Sequence, residues 1–158
     1  CSESGCRDQG MSEHNPIRVY VGHRFDKSVD YLRVFEYLES VERFYYINVS
    51  ETEPPKSGGL EALKERVRQQ IDASEIVILV ATLFTEKPDW AEFQVNAAQA
   101  MGKPILLVHA FGRTTVTPDS IVARADATVD WSEREIVDAV KRLARNEDTQ
   151  RWDVIDFP

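Results

Sequence analysis

The sequence predicts a three-layer α/β domain built on a five-stranded parallel sheet, and three observations carry that expectation. Short runs of β-branched and aromatic residues alternate with segments of helical period from Ile17 onward, the pattern of strands joined by helical crossovers. The most apolar run, Glu75 to Phe84, lies mid-chain, as expected for a central strand covered on both faces. The chain has 158 residues, 42% of them hydrophobic, which is enough for a single core.

Ile17 to Gly22 (IRVYVG) reads as the first strand. Ser28 to Val41 follows as an amphipathic helix, with Val29, Leu32, Phe35 and Leu38 expected on its inward face. Phe44 to Ser50 (FYYINVS) is the second strand. The breaker stretch ETEPPKSGG leads to a helix with Leu60, Leu63, Val67 and Ile71 on one side. After the third strand, a helix from Trp90 to Met101 ends at Gly102 and is stopped by Pro104. Pro104 to Ala110 (PILLVHA) is the fourth strand, and Ala127 to Trp131 the fifth. Ser132 to Glu135 is a capping-box pattern for the last helix, which turns Ile136, Val140 and Leu143 inward. The domain is thus expected over 17–145. Residues 1–16 read as a disordered leader or a remnant outside the fold, and 146–158 as a polar C-terminal tail whose apolar residues dock on the domain or a partner.

A net charge of −8 argues against general affinity for nucleic acid or an anionic membrane. No run is long enough to span a bilayer, and the polar start does not resemble a signal peptide, so a cytoplasmic location is expected. The two cysteines, Cys1 and Cys6, lie in the leader and are expected as free thiols. His14, His23 and His109 form no ligand cluster with them, so no metal is expected.

A doubly wound sheet binds ligands beyond the carboxyl ends of its strands. No GxxxxGK[ST] or GxGxxG occurs there, and the acidic residues of a phosphoryl receiver are missing. What remains is Gly22-His23-Arg24-Phe25-Asp26 after the first strand, facing Phe84 and the Lys87-Pro88-Asp89-Trp90 entry to the third helix. Gly22 would let a ligand approach the backbone, and His23 and Arg24 could meet phosphate or ribose oxygens. The plainer reading has His23 capping a turn and Arg24 paired with Asp26. Trp90 and Gln94 are four apart and share a helix face, where an indole beside an amide could stack on a base and bond a ribose. A core plug is an equally good account of Trp90.

The string VYVGHRFD resembles the first strand and loop of TIR domains, especially those of the bacterial Thoeris antiphage system. QIDASEIVILVATLF and DWAEFQVNAAQAMGKPILLV are similar to the family's second helix and third strand, and to the helix in which a Trp precedes a functional Glu by four residues. ADATVDWSEREIVDAV resembles its closing strand and helix. The resemblance implies a flavodoxin-like fold and NAD⁺ as substrate or ligand, with no further cofactor. It also implies cleavage or cyclisation of NAD⁺ to an ADP-ribose-type signal, which needs a carboxylate near the ribose. A homo-oligomer and a separate effector protein are implied partners. The loop from Glu51 to Gly59 sits where the family uses a loop for self-association or gating.

The chain departs from that pattern at Gln94, which stands where the catalytic Glu is expected, and at Gly22, which replaces a Ser. Gln can hold a ribose hydroxyl but cannot act as a base. Position 94 is expected to face the ligand cleft. Glu92 is a weak substitute, because two residues turn it about 200° around the helix. Three accounts follow: a natural variant with altered chemistry, an engineered trapping substitution, or a site that binds without turnover. The competing functions are a non-catalytic interaction or nucleotide-sensing module and a nucleoside deoxyribosyltransferase-like enzyme.

Overall fold

The structure, a computed structural model, describes residues 12–113 and 116–146. Its elements are β1 (Ile17–Val21), α1 (Val29–Glu39), β2 (Tyr46–Asn48), α2 (Gly59–Ala73), β3 (Ile76–Val80), α3 (Thr82–Glu86), α4 (Pro88–Ala100), β4 (Ile105–Val108), α5 (Asp119–Val122), β5 (Ala127–Val129) and α6 (Glu133–Arg145). The strands form one sheet in the order β2-β1-β3-β4-β5, and every pairing is parallel. This is the flavodoxin-like order, with its switch point between β1 and β3.

Alternation along each strand builds two cores. Ile17, Val19, Val21, Ile76, Ile78, Val80, Leu106 and Val108 face α1 and α6. Tyr20, Val77, Leu79, Ile105 and Leu107 face α2 and α4. Every residue of β3 is buried, as its continuous apolar run requires. Local signals set several termini. The Ser28 hydroxyl accepts from the Tyr31 N–H at 3.1 Å and caps α1. Pro88 opens α4, and Gly102 ends it at φ 68°, a left-handed position suited to glycine.

Several expectations require correction. All five strands are shorter than the apolar runs suggest, and the third ends at Val80 instead of reaching Phe84. Thr82 to Phe84 turn instead into α3, which places Phe84 in the core against α2 and α4. A short apolar run does not by itself distinguish strand from buried helical turn.

The inward face of α1 is also different. Tyr31, Val34 and Leu38 are buried, whereas Val29 and Leu32 are 68% and 45% exposed. A strict three-residue repeat walks about 60° around a helix at each step, so Val29 and Leu38 lie on opposite sides. In α2, Gln70 joins Val67 and Ile71 in the buried face, and Leu60 is exposed. Residues 12–16, expected in a disordered leader, form a turn in which Ser12 and Asn15 exchange backbone bonds. Arg145 at the end of α6 donates to the Asn15 and Pro16 carbonyls. Cys1, Cys6 and the apolar residues of the C-terminal tail lie outside the described residues.

Candidate functional site

At the switch point, α1 leaves β1 toward one face of the sheet and α3 leaves β3 toward the other. The crevice between them encloses about 320 Å³. Its walls are Gly22, His23, Arg24, Asp26 and the start of α1 on one side, and Val80, Thr82, Leu83 and Glu86 on the other.

Beneath the loop, Gln94 is completely buried, so the expectation that it faces the cleft is wrong. Its side-chain oxygen accepts from the Tyr20 hydroxyl at 2.5 Å and the His23 N–H at 3.3 Å. Its amide nitrogen donates to the His23 carbonyl at 3.0 Å and the Trp90 carbonyl at 3.4 Å. Donors surround one end of the amide and acceptors the other, which fixes its orientation. Burial, and secondarily Tyr31, raises the Tyr20 pKa well above its ordinary value, keeping that hydroxyl a donor. The Trp90 indole N–H also donates to the His23 carbonyl, at 2.7 Å. Trp90 and Gln94 therefore do meet, but on the backbone of the loop they support.

The His23 ring points inward among Tyr20, Phe25 and Tyr31. Its Nδ1 accepts from the Phe25 N–H at 3.0 Å, so the neutral ring donates from Nε2 to the Gln70 side-chain oxygen at 2.9 Å. Burial lowers its pKa, against the smaller opposing effects of Gln70 and Asp26. Gln70 also bonds the Glu51 backbone in both directions, tying this loop to the one after β2. Phe25, held at φ 62°, forms a rim between His23 and Trp90. Arg24 donates to Asp26 at 3.1 Å and approaches Glu86 at 3.4 Å.

Of the residues singled out from sequence, Gly22, His23, Arg24 and Asp26 line the crevice, while Phe25 and Trp90 line a neighbouring groove. Phe84 is buried in the core, and Glu92 is exposed on α4, turned away from both. Sequence reasoning missed Asp30, Thr82 and Glu86. Asp30 accepts from the Thr82 hydroxyl and from Arg33, each at 2.5 Å. Its position in the first turn after β1 was a usable signal, but an acidic first turn is common at any helix start. Among the described residues, no group of three potential ligands gathers to hold a metal ion.

A family model described as Thoeris protein ThsB, TIR-like domain, matches residues 20–115. The chain belongs to this family. It is accordingly a TIR-like module of a defence system that includes other proteins. No curated protein sequence matches the chain significantly. Among solved structures, a 3-dehydroquinate dehydratase-like protein from Bifidobacterium longum is similar at 14% identity and a TM-score of 0.44, over 85% of this chain and 96% of that one. No helix among the described residues is long and apolar enough to cross a membrane.

Within this ThsB-type domain the two departures from the family resemblance adjoin each other. A Cβ at Gly22 would lie 3.3 Å from the Gln94 side-chain oxygen and 2.4 Å from Leu79 Cδ2. The space a Ser side chain would need at position 22 is filled by Leu79.

Proposed function

We propose that this chain is a nucleotide-binding module of a Thoeris defence system, taking NAD⁺ or an ADP-ribose-type derivative in the crevice between β1 and β3. The observation that carries the reading is the crevice itself. It lies at the switch point of a TIR-like sheet and combines three carboxylates (Asp26, Asp30 and Glu86) with the Arg24 guanidinium. Carboxylates accept from ribose hydroxyls, and a guanidinium matches a diphosphate. Gln94 contributes indirectly by holding the His23 backbone beneath the site. Being neutral, buried and fully bonded, it supplies no charge to a reacting ribose.

Turnover is a second reading, favoured by Asp30. It is the least exposed of the three carboxylates, with a side-chain exposure of 19%. The Thr82 hydroxyl and Arg33 also hold it in one orientation. A fixed carboxylate of this kind could stabilise positive charge on ribose. Both readings involve a cytoplasmic protein acting as a homo-oligomer with a separate effector.

The test is calorimetry with NAD⁺ and ADP-ribose, alongside measurement of nicotinamide release. Binding without release supports the module, and release abolished by Asp30→Asn supports the enzyme. Absence of binding at millimolar ligand in a folded, oligomeric preparation overturns both.

A further inference from the structure

We propose that residues 152–157 of this chain (WDVIDF) add a sixth strand to the sheet, pairing in parallel with the outer edge of β2 in the same molecule. The pairing surface lies at the β2 edge of the sheet, and nothing in it depends on what the crevice binds.

β2 is an edge strand whose only sheet neighbour among the described residues is β1. The Ile17 N–H donates to the Tyr45 carbonyl at 3.0 Å, and the Val49 N–H to the Val19 carbonyl at 2.9 Å. Alternate residues therefore turn toward β1, and the N–H and C=O groups of Tyr46 and Asn48 point away from it. Both sides of this edge are apolar. Tyr46 lies on the α1 face, stacked with Phe35 and Phe44 at centroid distances of 5.9 Å. Ile47 lies on the opposite face and is 49% exposed. β2 carries no charged residue and no proline, the devices that keep an open edge from pairing. The other edge strand, β5, is bracketed by Asp126 and Asp130 and exposes no large apolar side chain.

The tail matches the β2 edge in composition. Trp152, Val154, Ile155 and Phe157 are strand formers. In an extended segment Trp152 and Val154 fall on one face, and Ile155 and Phe157 on the other. A strand apolar on both faces suits an edge that is apolar on both. Pro158, which has no N–H, ends the pairing.

Position and topology agree with this placement. Arg145, at the end of α6, donates to the Asn15 and Pro16 carbonyls just before β1. The chain therefore leaves α6 at the end of the sheet where β1 and β2 begin. The outer side of β2 is two strand spacings from β1, about 10 Å. Residues 146–151 span up to about 20 Å, enough for that distance and the length of the Arg145 side chain. A segment entering there runs along β2 in the same direction, so the pairing is parallel. α1 and α6 cover the same face of the sheet. Passing from β5 through α6 to the outside of β2 therefore moves in the same direction, over the same face, as β1–α1–β2. The new crossover has the same hand as that one, the right-handed hand of parallel connections.

Amide hydrogen exchange of the full chain, read by NMR, tests the pairing. The N–H groups of Tyr46 and Asn48 should be protected at least about a hundredfold relative to an open strand. Nuclear Overhauser contacts in the parent should also join the tail's apolar side chains to Ile47. The double variant Val154→Pro, Ile155→Pro should abolish the protection, because one of any two adjacent N–H groups in a paired strand points to its neighbour. The amides of β3 should keep theirs, showing that the five-stranded core is intact. Protection should be unchanged by about tenfold dilution. Open exchange at Tyr46 and Asn48 in the parent, absent tail contacts, or protection that survives the two prolines overturns the proposal. Protection that falls on dilution, with tail contacts between differently labelled chains, gives the edge to a second copy and overturns it as well.

Discussion

Replacing Gln94 by Glu should destabilise the protein in a pH-dependent way without creating NAD⁺ hydrolysis. The substitution exchanges the amide nitrogen for an oxygen where two carbonyls, of His23 and Trp90, now receive hydrogen bonds. An ionised Glu would place acceptor against acceptor in a fully buried position. The group therefore stays protonated in the folded protein, and its folded pKa rises above the unfolded value of about 4.3. A raised carboxyl pKa leaves stability intact below the unfolded pKa and removes it as pH climbs toward the folded one. At about 1.4 kcal/mol per pH unit, the cost at pH 7 reaches up to about 4 kcal/mol. Continued donation from the Tyr20 hydroxyl and the His23 N–H makes that figure an upper bound. For a domain of this size the melting temperature falls by up to about 8–15 °C at pH 7 and stays near the parent value at pH 4.5. The assay is thermal denaturation from pH 4.5 to 8, with nicotinamide release followed in parallel. A variant with the parent's melting temperature at pH 7 and increased nicotinamide release would refute the reasoning, because its carboxylate would have to reach the crevice.

Two further predictions concern the same loop. His23 is buried in its neutral form with a lowered pKa, so stability is complete above its unfolded pKa, about 6.5, and declines as pH falls through the folded pKa. Melting curves between pH 7.5 and 5 should show this decline, and His23→Gln should flatten it; equal slopes in the two proteins would discount the buried imidazole. Gly22→Ser should cost about 1–2 kcal/mol, because its Cβ would meet Leu79 Cδ2 at 2.4 Å. Denaturant titration measures the loss, and partial recovery in the Gly22→Ser, Leu79→Val double variant would locate its cause.

Much of the fold was legible because its signals are local. The IRVYV strand, the helix that starts beside Ser28 and the Gly102 ending each rest on residues close together in the chain, whereas the helix expected from Trp90 opens two residues earlier, at Pro88. The candidate site was legible in part. The sequence singled out Gly22 to Asp26 and Trp90, and the structure places all of them at the switch-point edge. It could not indicate which way their side chains turn. His23 points inward because Gln70, 47 residues away, supplies an acceptor for its Nε2. Asp30 borders the crevice opposite Thr82, a contact across 52 residues with no trace in local spacing.

The sequence by itself determined the alternation of strands and helices, the parallel sheet that alternation demands, and the loops that gather at its switch-point edge. Local propensity and hydrophobic period act within a few residues and are sufficient for those features. Tertiary structure alone decided how far each helix rotates about its axis, and with it which residues face the core. Leu32 lies outward on α1 and Gln94 lies at the bottom of the loop, although both sit in helical patterns that allow the opposite. Packing against the sheet selects that rotation, because it must fill two cores at once while giving every buried polar group a partner.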